Sequence, residues 1–299
     1  MVTVAIYKRE LLKLFKRSPF IWGISLYVIF LIYCYVNVGL QFQQSFNSFL
    51  ENSSFSVQQT LNYLATADIS DPLRNPLHVV SPSNAIGYSL AIVNSFGPWF
   101  IAIIAAFLFG IEYRHQTVKQ LRSRRMTKVE ILLGKIFSIA TIIVLFLSIC
   151  IVTGYIMSFI TPRIFDMPVD IISNEQIMLD QSLLQIVGTF ISLFLWGIFT
   201  AFITVITKSL FTGIIIGIAY PIIESLFLHD LSFSEYLPLY IQKSMLPILF
   251  EKSSGDMISF HPLSHIYSLN ESIFYTLLYI SLFIIMLLFV LKKQKVSIL

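Results

Sequence analysis

The sequence predicts an all-α membrane protein with six membrane-spanning helices and both termini in the cytoplasm. Of its 299 residues, 56% are hydrophobic and only 12% are charged, whereas soluble domains average about 25% charged residues. A hydrocarbon core of about 30 Å is crossed by about 20 apolar residues in a helix. Six runs meet this length: 19–40, 91–111, 136–160, 183–206, 210–228 and 273–291. Because a helix satisfies its own backbone in lipid, one transmembrane domain over 1–299 is the expected architecture.

Charge placement predicts the orientation of these spans. If the first span runs outward, sixteen of the twenty Lys and Arg residues lie on the cytoplasmic side. Twelve of the sixteen acidic residues then lie outside. The positive-inside rule therefore predicts a multi-pass plasma-membrane protein with this topology. The net charge of +4 requires no nucleic-acid partner, because the basic residues can face membrane lipid or a partner protein.

Residues 1–18 precede the first span and combine apolar and basic positions at helical spacing. Apolar residues follow one face, and basic residues cover the other: Lys8, Arg9, Lys13, Lys16 and Arg17. This pattern predicts an amphipathic elbow helix that lies in the headgroup plane. A basic flank that serves only to set the topology is the alternative.

Aromatic residues occupy two kinds of position in the spans. Trp22, Tyr33 and Tyr35 flank the first span, where interfacial anchors are expected. Trp99 and Trp196 lie deeper, where they either pack or line a hydrophobic pathway. Pro98 removes a helical hydrogen bond in the second span and is expected to bend it.

Two long external segments, 41–90 and 229–271, join the first and last pairs of spans. The second segment mixes charges with apolar groups, such as those at 237–240 and 245–250. Non-helical backbone at membrane depth is tolerated only where it is buried in protein. The pattern therefore predicts short helices that dip back toward the membrane and pack on the spans.

Glu224 is an acidic residue within a predicted span, four residues before the end of the fifth. A charge at the bilayer centre costs at least about 2.5–3.5 kcal/mol. At about 1.5 Å per residue, however, this position is only about 6 Å from the outer boundary. The favoured interpretation is an interface-facing carboxylate. The alternative is that Glu224 faces a transport pathway or the external segment, contacting a cationic substrate or pairing with Lys243.

Motifs for catalysis and metal binding are missing from the sequence. It contains no G-x-x-x-x-G-K-[ST] loop to hold ATP phosphates, no H-E-x-x-H and no G-x-S-x-G. Cys34 and Cys150 lie in predicted spans and have no metal-ligand spacing. We therefore assign no catalytic residue, no metal ion and no cofactor to this chain.

The cytoplasmic segment 113–130 carries the most specific signal. It opens behind Glu112, continues through a basic stretch and ends at Thr127 and Glu130, which are spaced as a capping box. Its candidate functional residues are Glu112, Arg114, Thr117, Lys119, Arg122, Arg124 and Arg125. A short helix held here by the flanking spans could act as a lever for a soluble partner. A basic loop that only orients the protein is the alternative.

This segment resembles the ABC-2 type permeases of ATP-binding-cassette transporters. Their pattern is approximately E-x3-G-T-[hydrophobic]-R-x-L-L-S-x-P-x-[ST]-R-x-E-[hydrophobic]3-x-K. Matching places are held by Glu112, Thr117, Val118, Lys119, Ser123, Glu130 and Lys135. The sequence departs from the pattern at Gln116, where Gly is usual, at Arg125, near the Pro, and at Lys128, where Arg is usual. The elbow, the six spans and the external segment before the last span extend the resemblance to the whole chain.

The resemblance implies a pair of permeases, identical or different, working with two ABC ATPase subunits that supply ATP and Mg2+. Segment 113–130 is then the coupling helix that docks on the ATPase. It further implies export of a hydrophobic or amphipathic cargo. Chains of this size resemble those that export, or give immunity to, antimicrobial and cytolytic peptides, and a Gram-positive bacterium is the expected source.

Two other classes of protein remain open. An ATPase-independent channel or secondary transporter predicts ionisable residues near the midplane or a pair of broken helices, and neither is evident in the sequence. A non-transporting immunity or sensor protein would bind a peptide at 41–90 and 229–271 without moving it.

Overall fold

The computed structural model describes residues 2–15, 18–53, 55–67, 71, 73–114, 127–168, 179–227, 233–243 and 267–293. Within these ranges the chain forms ten α-helices and no strand. They are α1 Val2–Phe15, α2 Ser18–Asn52, α3 Val57–Thr66, α4 Arg74–Val80, α5 Ala85–Arg114, α6 Lys128–Ile164, α7 Leu179–Thr207, α8 Leu210–Phe227, α9 Pro238–Lys243 and α10 Leu269–Lys293.

Five of these helices, α2, α5, α6, α7 and α10, are long and apolar enough to cross a membrane. The sixth predicted span corresponds to α8, which is apolar but shorter. The predicted all-α membrane fold is confirmed.

Two of the helices run well past the predicted spans. α2 has 35 residues and α6 has 37, which correspond to about 52 and 55 Å at about 1.5 Å per residue. Residues 41–52, predicted as the start of an external segment, thus continue the helix of the first span. Hydropathy falls after residue 40, but Gln41 and the glutamines that follow it are good helix formers, so the helix does not end there.

α5 is the central helix of the bundle and packs against α6, α7 and α8. The more peripheral helices pack mainly on one neighbour each: α1 and α2 on α6, and α10 on α7. α5 is accordingly the most buried of the five long apolar helices, and most of its side chains are apolar. Residues that α5 presents to its neighbours therefore sit at the centre of the molecule.

Tyr35 lies inside the bundle and is fully buried. Its hydroxyl donates to the Ala85 carbonyl and lies 3.1 Å from the Ser89 Oγ. Gly154 makes room for this contact, because a Cβ there would lie 1.7 Å from the Ser89 Oγ. The prediction of Tyr35 as an interfacial anchor is wrong, since a buried backbone acceptor satisfies its hydroxyl. Trp22 and Tyr33 are exposed.

A two-residue link, Lys208 and Ser209, joins α7 to α8. Lys208 has a φ of 53°, which lies in the left-handed region that lets the chain reverse at once. The paired helices then approach closely. A Cβ on Gly213 would lie 2.0 Å from the Thr204 Oγ1, so the hairpin depends on a small residue at the contact.

The segment 41–90, predicted to be external, is folded in its described part. α3 begins at a capping box in which Ser56 and Gln59 bond each other's backbone. The Tyr63 hydroxyl donates to the Asp71 Oδ2 at 2.6 Å, and this hydrogen bond raises the pKa of Tyr63. Arg74, at the start of α4, donates to the Ala67 carbonyl. These bonds join α3 to α4.

The external segment 229–271 contains a 3-10 turn, Ser234–Tyr236, followed by α9. Both agree with the short helices predicted for this segment. The apolar group at 245–250 lies outside the described residues.

Candidate functional site

The predicted coupling segment lies between two helix ends. α5 ends at Arg114, and α6 begins at Lys128 behind the Thr127–Glu130 capping box. Thr117, Lys119, Arg122, Arg124 and Arg125 lie outside the described residues, as do the side chains of Glu112 and Arg114. Their role in coupling therefore stays a prediction. The described helix ends show how the segment is attached to the bundle.

Lys135 attaches α6 to α5. Its side chain is only 2% exposed, and its Nζ donates to the Leu108 carbonyl. The same Nζ lies 4.9 Å from the centre of the Phe109 ring, a favourable cation–π distance. A lysine that matches the family pattern thus ties together the two helices that flank the coupling segment.

Lys128 attaches the start of α6 to the end of α10. Its Nζ donates to the Leu291 carbonyl and, at 3.4 Å, to the Lys292 carbonyl. Carbonyls in the last turn of a helix lack helical partners and attract cations. We call Lys128 and Lys135 with these acceptors the cytoplasmic brace, after the side of the membrane on which the charge pattern predicts them. Sequence reasoning identified Lys128 as a departure from the family pattern but did not predict this contact.

The predicted elbow, α1, packs on α6 rather than standing apart. The Tyr7 hydroxyl lies 2.9 Å from the Thr141 Oγ1, and Glu10 is 4% exposed. Lys8 and Arg9 are exposed, as the polar, headgroup-facing side of an amphipathic helix requires. The side chains of Lys13, Lys16 and Arg17 lie outside the described residues.

Glu224 faces the external segment from within the bundle. It is fully buried, which does not match the favoured interpretation of an interface-facing carboxylate. Its Oε1 accepts the backbone N–H groups of Leu239 at 2.7 Å and Tyr240 at 3.3 Å. These N–H groups belong to the first turn of α9, where a carboxylate is favourable. The side chain of Lys243 lies outside the described residues.

Trp196 and Gln242 connect α9 to the centre of the bundle. The Trp196 Nε1 donates to the Gln242 Oε1, and the Gln242 Nε2 donates to the Asn94 carbonyl at 3.0 Å. The Asn94 side chain in turn donates to the Thr189 Oγ1 at 3.1 Å. Trp196 lies near the middle of its predicted span, so α9 reaches deep among the helices. We call Asn94, Thr189, Ser192, Trp196, Glu224 and Gln242 the outer polar cluster.

Trp99, the other predicted pathway residue, lies apart from this cluster. It is half-buried and packs edge-on against Phe96, with ring centres 5.4 Å apart. Trp196 contacts Phe199 and Tyr220 as well as Gln242. Of the two tryptophans, only Trp196 thus has a hydrogen bond to the external segment among the described contacts.

Asn94, Thr189, Ser192 and Gln242 were not predicted as functional residues. Pro98 was the available signal, because a proline leaves the carbonyl four residues earlier without its helical donor, and that carbonyl belongs to Asn94. The partner, Gln242, is 148 positions away, and helical spacing cannot pair residues so far apart. In the described part of the chain, no group of three His, Cys, Asp or Glu side chains could hold a metal ion.

Residues 72–224 match the family model described as ABC-2 family transporter protein, which covers just over half of the 299 residues. The matched region includes Asn94, Lys128, Lys135 and Trp196 and ends at Glu224. Helices α9 and α10 lie beyond it. No curated protein and no solved structure matches the chain.

Proposed function

The chain belongs to the ABC-2 transporter family and is a membrane permease subunit of an ABC transporter, and from this premise we propose that it exports a hydrophobic or amphipathic cargo. The best candidate cargo is a cytolytic or antimicrobial peptide. In this proposal the chain pairs with a second permease and with two ABC ATPase subunits in the plasma membrane of a Gram-positive bacterium. The ATPases bind ATP and Mg2+, and this chain supplies the path.

The cytoplasmic brace is the observation that carries the coupling proposal. Segment 113–130 leaves α5 and enters α6, and Lys135 ties these two helices to each other. Lys128 ties the same end of α6 to α10. A displacement of the segment by a docked ATPase is therefore transmitted to three helices of the bundle. ATP binding favours one conformation to the extent that it changes such contacts.

The composition of the spans supports a hydrophobic or amphipathic cargo. The chain has 27 Phe residues and a mean hydropathy of +0.80. Within the described residues, the polar groups gathered in the outer half of the bundle are mainly amides and hydroxyls. Such groups suit a cargo with an apolar body and hydrogen-bonding groups, which describes an amphipathic peptide.

Affinity purification of the tagged protein in mild detergent, followed by mass spectrometry, tests the assembly. We expect a stoichiometric ATPase with a phosphate-binding loop, and a second permease if the pair is not identical. ATP-dependent accumulation of a fluorescent amphipathic peptide in inside-out vesicles tests the direction. A solitary homo-oligomer would contradict the proposal and favour a channel or secondary transporter. Peptide binding without accumulation would favour an immunity or sensor protein.

Charge reversal of Arg122, Arg124 and Arg125 to Glu tests the coupling segment. We expect the ATPase to be lost on purification and vesicle transport to fall at least about tenfold, because docking needs about 1.4 kcal/mol or more from these charges. The matched control is Lys208→Glu, which reverses an exposed cytoplasmic lysine between α7 and α8. Normal ATPase association in the triple variant would overturn the coupling assignment.

A further inference from the structure

The side-chain amide of Gln242 is held at both ends inside the bundle. The Trp196 Nε1 donates to its carbonyl oxygen, and its nitrogen donates to the Asn94 carbonyl at 3.0 Å. Gln242 is 2% exposed and Trp196 is 1% exposed. The bundle therefore presents one donor and one acceptor placed to receive a single amide group.

The acceptor in this arrangement exists because of Pro98. A proline has no N–H, so it cannot bond the carbonyl of the residue four positions earlier, which is Asn94. An unsatisfied carbonyl in a membrane interior costs several kcal/mol. The indole N–H of a buried tryptophan likewise needs a partner. α5 and α7 thus need an amide, or a group with the same two functions, at this place.

The site has more hydrogen-bonding capacity than Gln242 uses. The Asn94 Oδ1 and the Ser192 Oγ are both buried and have no hydrogen-bond partner among the described residues. Thr189, Ser192 and Trp196 follow one face of α7 at helical spacing, and Thr189 bonds the Asn94 side chain. The two unused acceptors therefore lie beside the bonded pair. Their desolvation favours a ligand with further N–H donors.

We propose that Asn94, Ser192 and Trp196 form a binding site for the backbone amides of a peptide cargo, and that Gln242 occupies this site as an internal competitor. This inference rests on the proposed function, since it assigns the cargo site of the exporter. A peptide bond carries the same N–H and C=O groups as the Gln242 side chain, and successive peptide bonds supply the additional donors.

α9 determines when the site is open to cargo. Glu224 holds the first turn of α9 through the N–H groups of Leu239 and Tyr240, and this contact keeps Gln242 seated. Cargo and Gln242 exclude each other, so binding requires α9 to withdraw. Removing the Gln242 side-chain amide must then strengthen cargo binding. A purely structural role for Gln242 does not predict this gain.

The test uses the full chain in lipid nanodiscs without an ATPase. The probe is a fluorescent, capped Leu-Phe-Leu-Phe-Leu peptide, and the control probe is the same peptide with every backbone N–H methylated. We expect Gln242→Ala to bind the peptide about tenfold more tightly, the upper range for one net hydrogen bond. The methylated probe should show no gain, and adding Trp196→Phe should remove it. Gln43→Ala, an exposed glutamine in α2, is the matched control.

Three results would overturn the site: no gain in Gln242→Ala, an equal gain for the methylated probe, or no peptide binding at all. Thermal unfolding of each variant, and Gln242→Met as a variant of similar volume, separate these results from misfolding. Failure of the export proposal is distinguishable. If the chain passes the binding test but purifies without an ATPase, the binding site is supported and the export proposal is contradicted. If ATP-driven export is unchanged by substitutions at Gln242 and Trp196, export is supported and the binding site is contradicted.

Discussion

The cytoplasmic brace and the outer polar cluster both place a charged side chain against backbone groups of a neighbouring helix, but the charges have opposite sign. In the brace, the Lys128 ammonium group meets carbonyls in the last turn of α10. The Lys135 ammonium group meets the Leu108 carbonyl within α5. In the cluster, the Glu224 carboxylate meets the first N–H groups of α9. Cations suit helix C-termini and anions suit helix N-termini. The comparison teaches that Lys128 and Glu224 each serve an unpaired end of a helix, whereas Lys135 bonds a carbonyl inside one.

The two regions differ in how they relate to the family match. Lys128, Lys135 and Leu108 all lie within residues 72–224, whereas Gln242 lies beyond them. Asn94 and Trp196, the two residues that hydrogen-bond Gln242, are within the match as well. The matched region thus supplies both brace lysines and the residues that receive Gln242, whereas Gln242 and the α10 carbonyls that accept from Lys128 lie outside it.

The largest effect is expected at Glu224, which tests whether the cluster depends on an acceptor or on a charge. Glu224→Leu leaves two N–H groups of α9 without their acceptor and should lower the free energy of unfolding by about 2–5 kcal/mol. Glu224→Gln keeps an acceptor oxygen and should cost about 1 kcal/mol. Thermal unfolding of both variants in the same detergent gives the comparison. Equal losses would show that the charge, and not the acceptor, matters.

An intermediate effect is expected in the brace. Lys135→Met should lower the free energy of unfolding by about 1–3 kcal/mol, because it removes the donor to Leu108 from a buried position. Lys128→Met should cost about 1 kcal/mol or less, since Lys128 is only half-buried. Both should reduce peptide-driven ATPase activity in the reconstituted complex. If both variants keep normal peptide-driven ATPase activity, the brace stabilises the fold but does not transmit motion between the ATPase and the bundle.

The smallest effect is expected at Lys208, an exposed lysine in the link between α7 and α8. Its φ of 53° strains a side chain by about 1–2 kcal/mol, whereas glycine adopts this conformation freely. Lys208→Gly should therefore raise the free energy of unfolding by up to about 1 kcal/mol after the entropy cost of glycine. A clear loss of stability would mean that the side chain contributes as the two brace lysines do.

The fold could largely be predicted from the sequence, because the length and hydropathy of an apolar run indicate whether it can cross a membrane as a helix. The six apolar runs correspond to α2, α5, α6, α7, α8 and α10. Helix ends were less predictable. Hydropathy falls after residue 40, whereas α2 continues to Asn52, because the backbone responds to helix propensity and packing rather than to the membrane boundary. Tyr35 was misplaced for a related reason, since nothing local revealed its partner in Ala85.

The candidate site could be predicted only where its chemistry is local. The Thr127–Glu130 capping box is an i, i+3 pattern and was found. Lys135 was singled out through the family pattern, but its acceptor, Leu108, was not. Glu224 is conspicuous in the sequence as an acid in an apolar run, but its burial is not, because α9 folds back over it. Gln242 gave no signal, because a glutamine in a segment between spans is common and its partners, Asn94 and Trp196, are distant in the sequence.

The short link at Lys208 and Ser209 also constrains how the molecule is made. With two residues between them, α7 and α8 cannot partition into the bilayer far apart, so they enter during synthesis as one hairpin. α9 emerges later, and Gln242 can reach Asn94 and Trp196 only once α5 and this hairpin are side by side. In the nascent protein the receptor for α9 therefore has to form before Gln242 can occupy it.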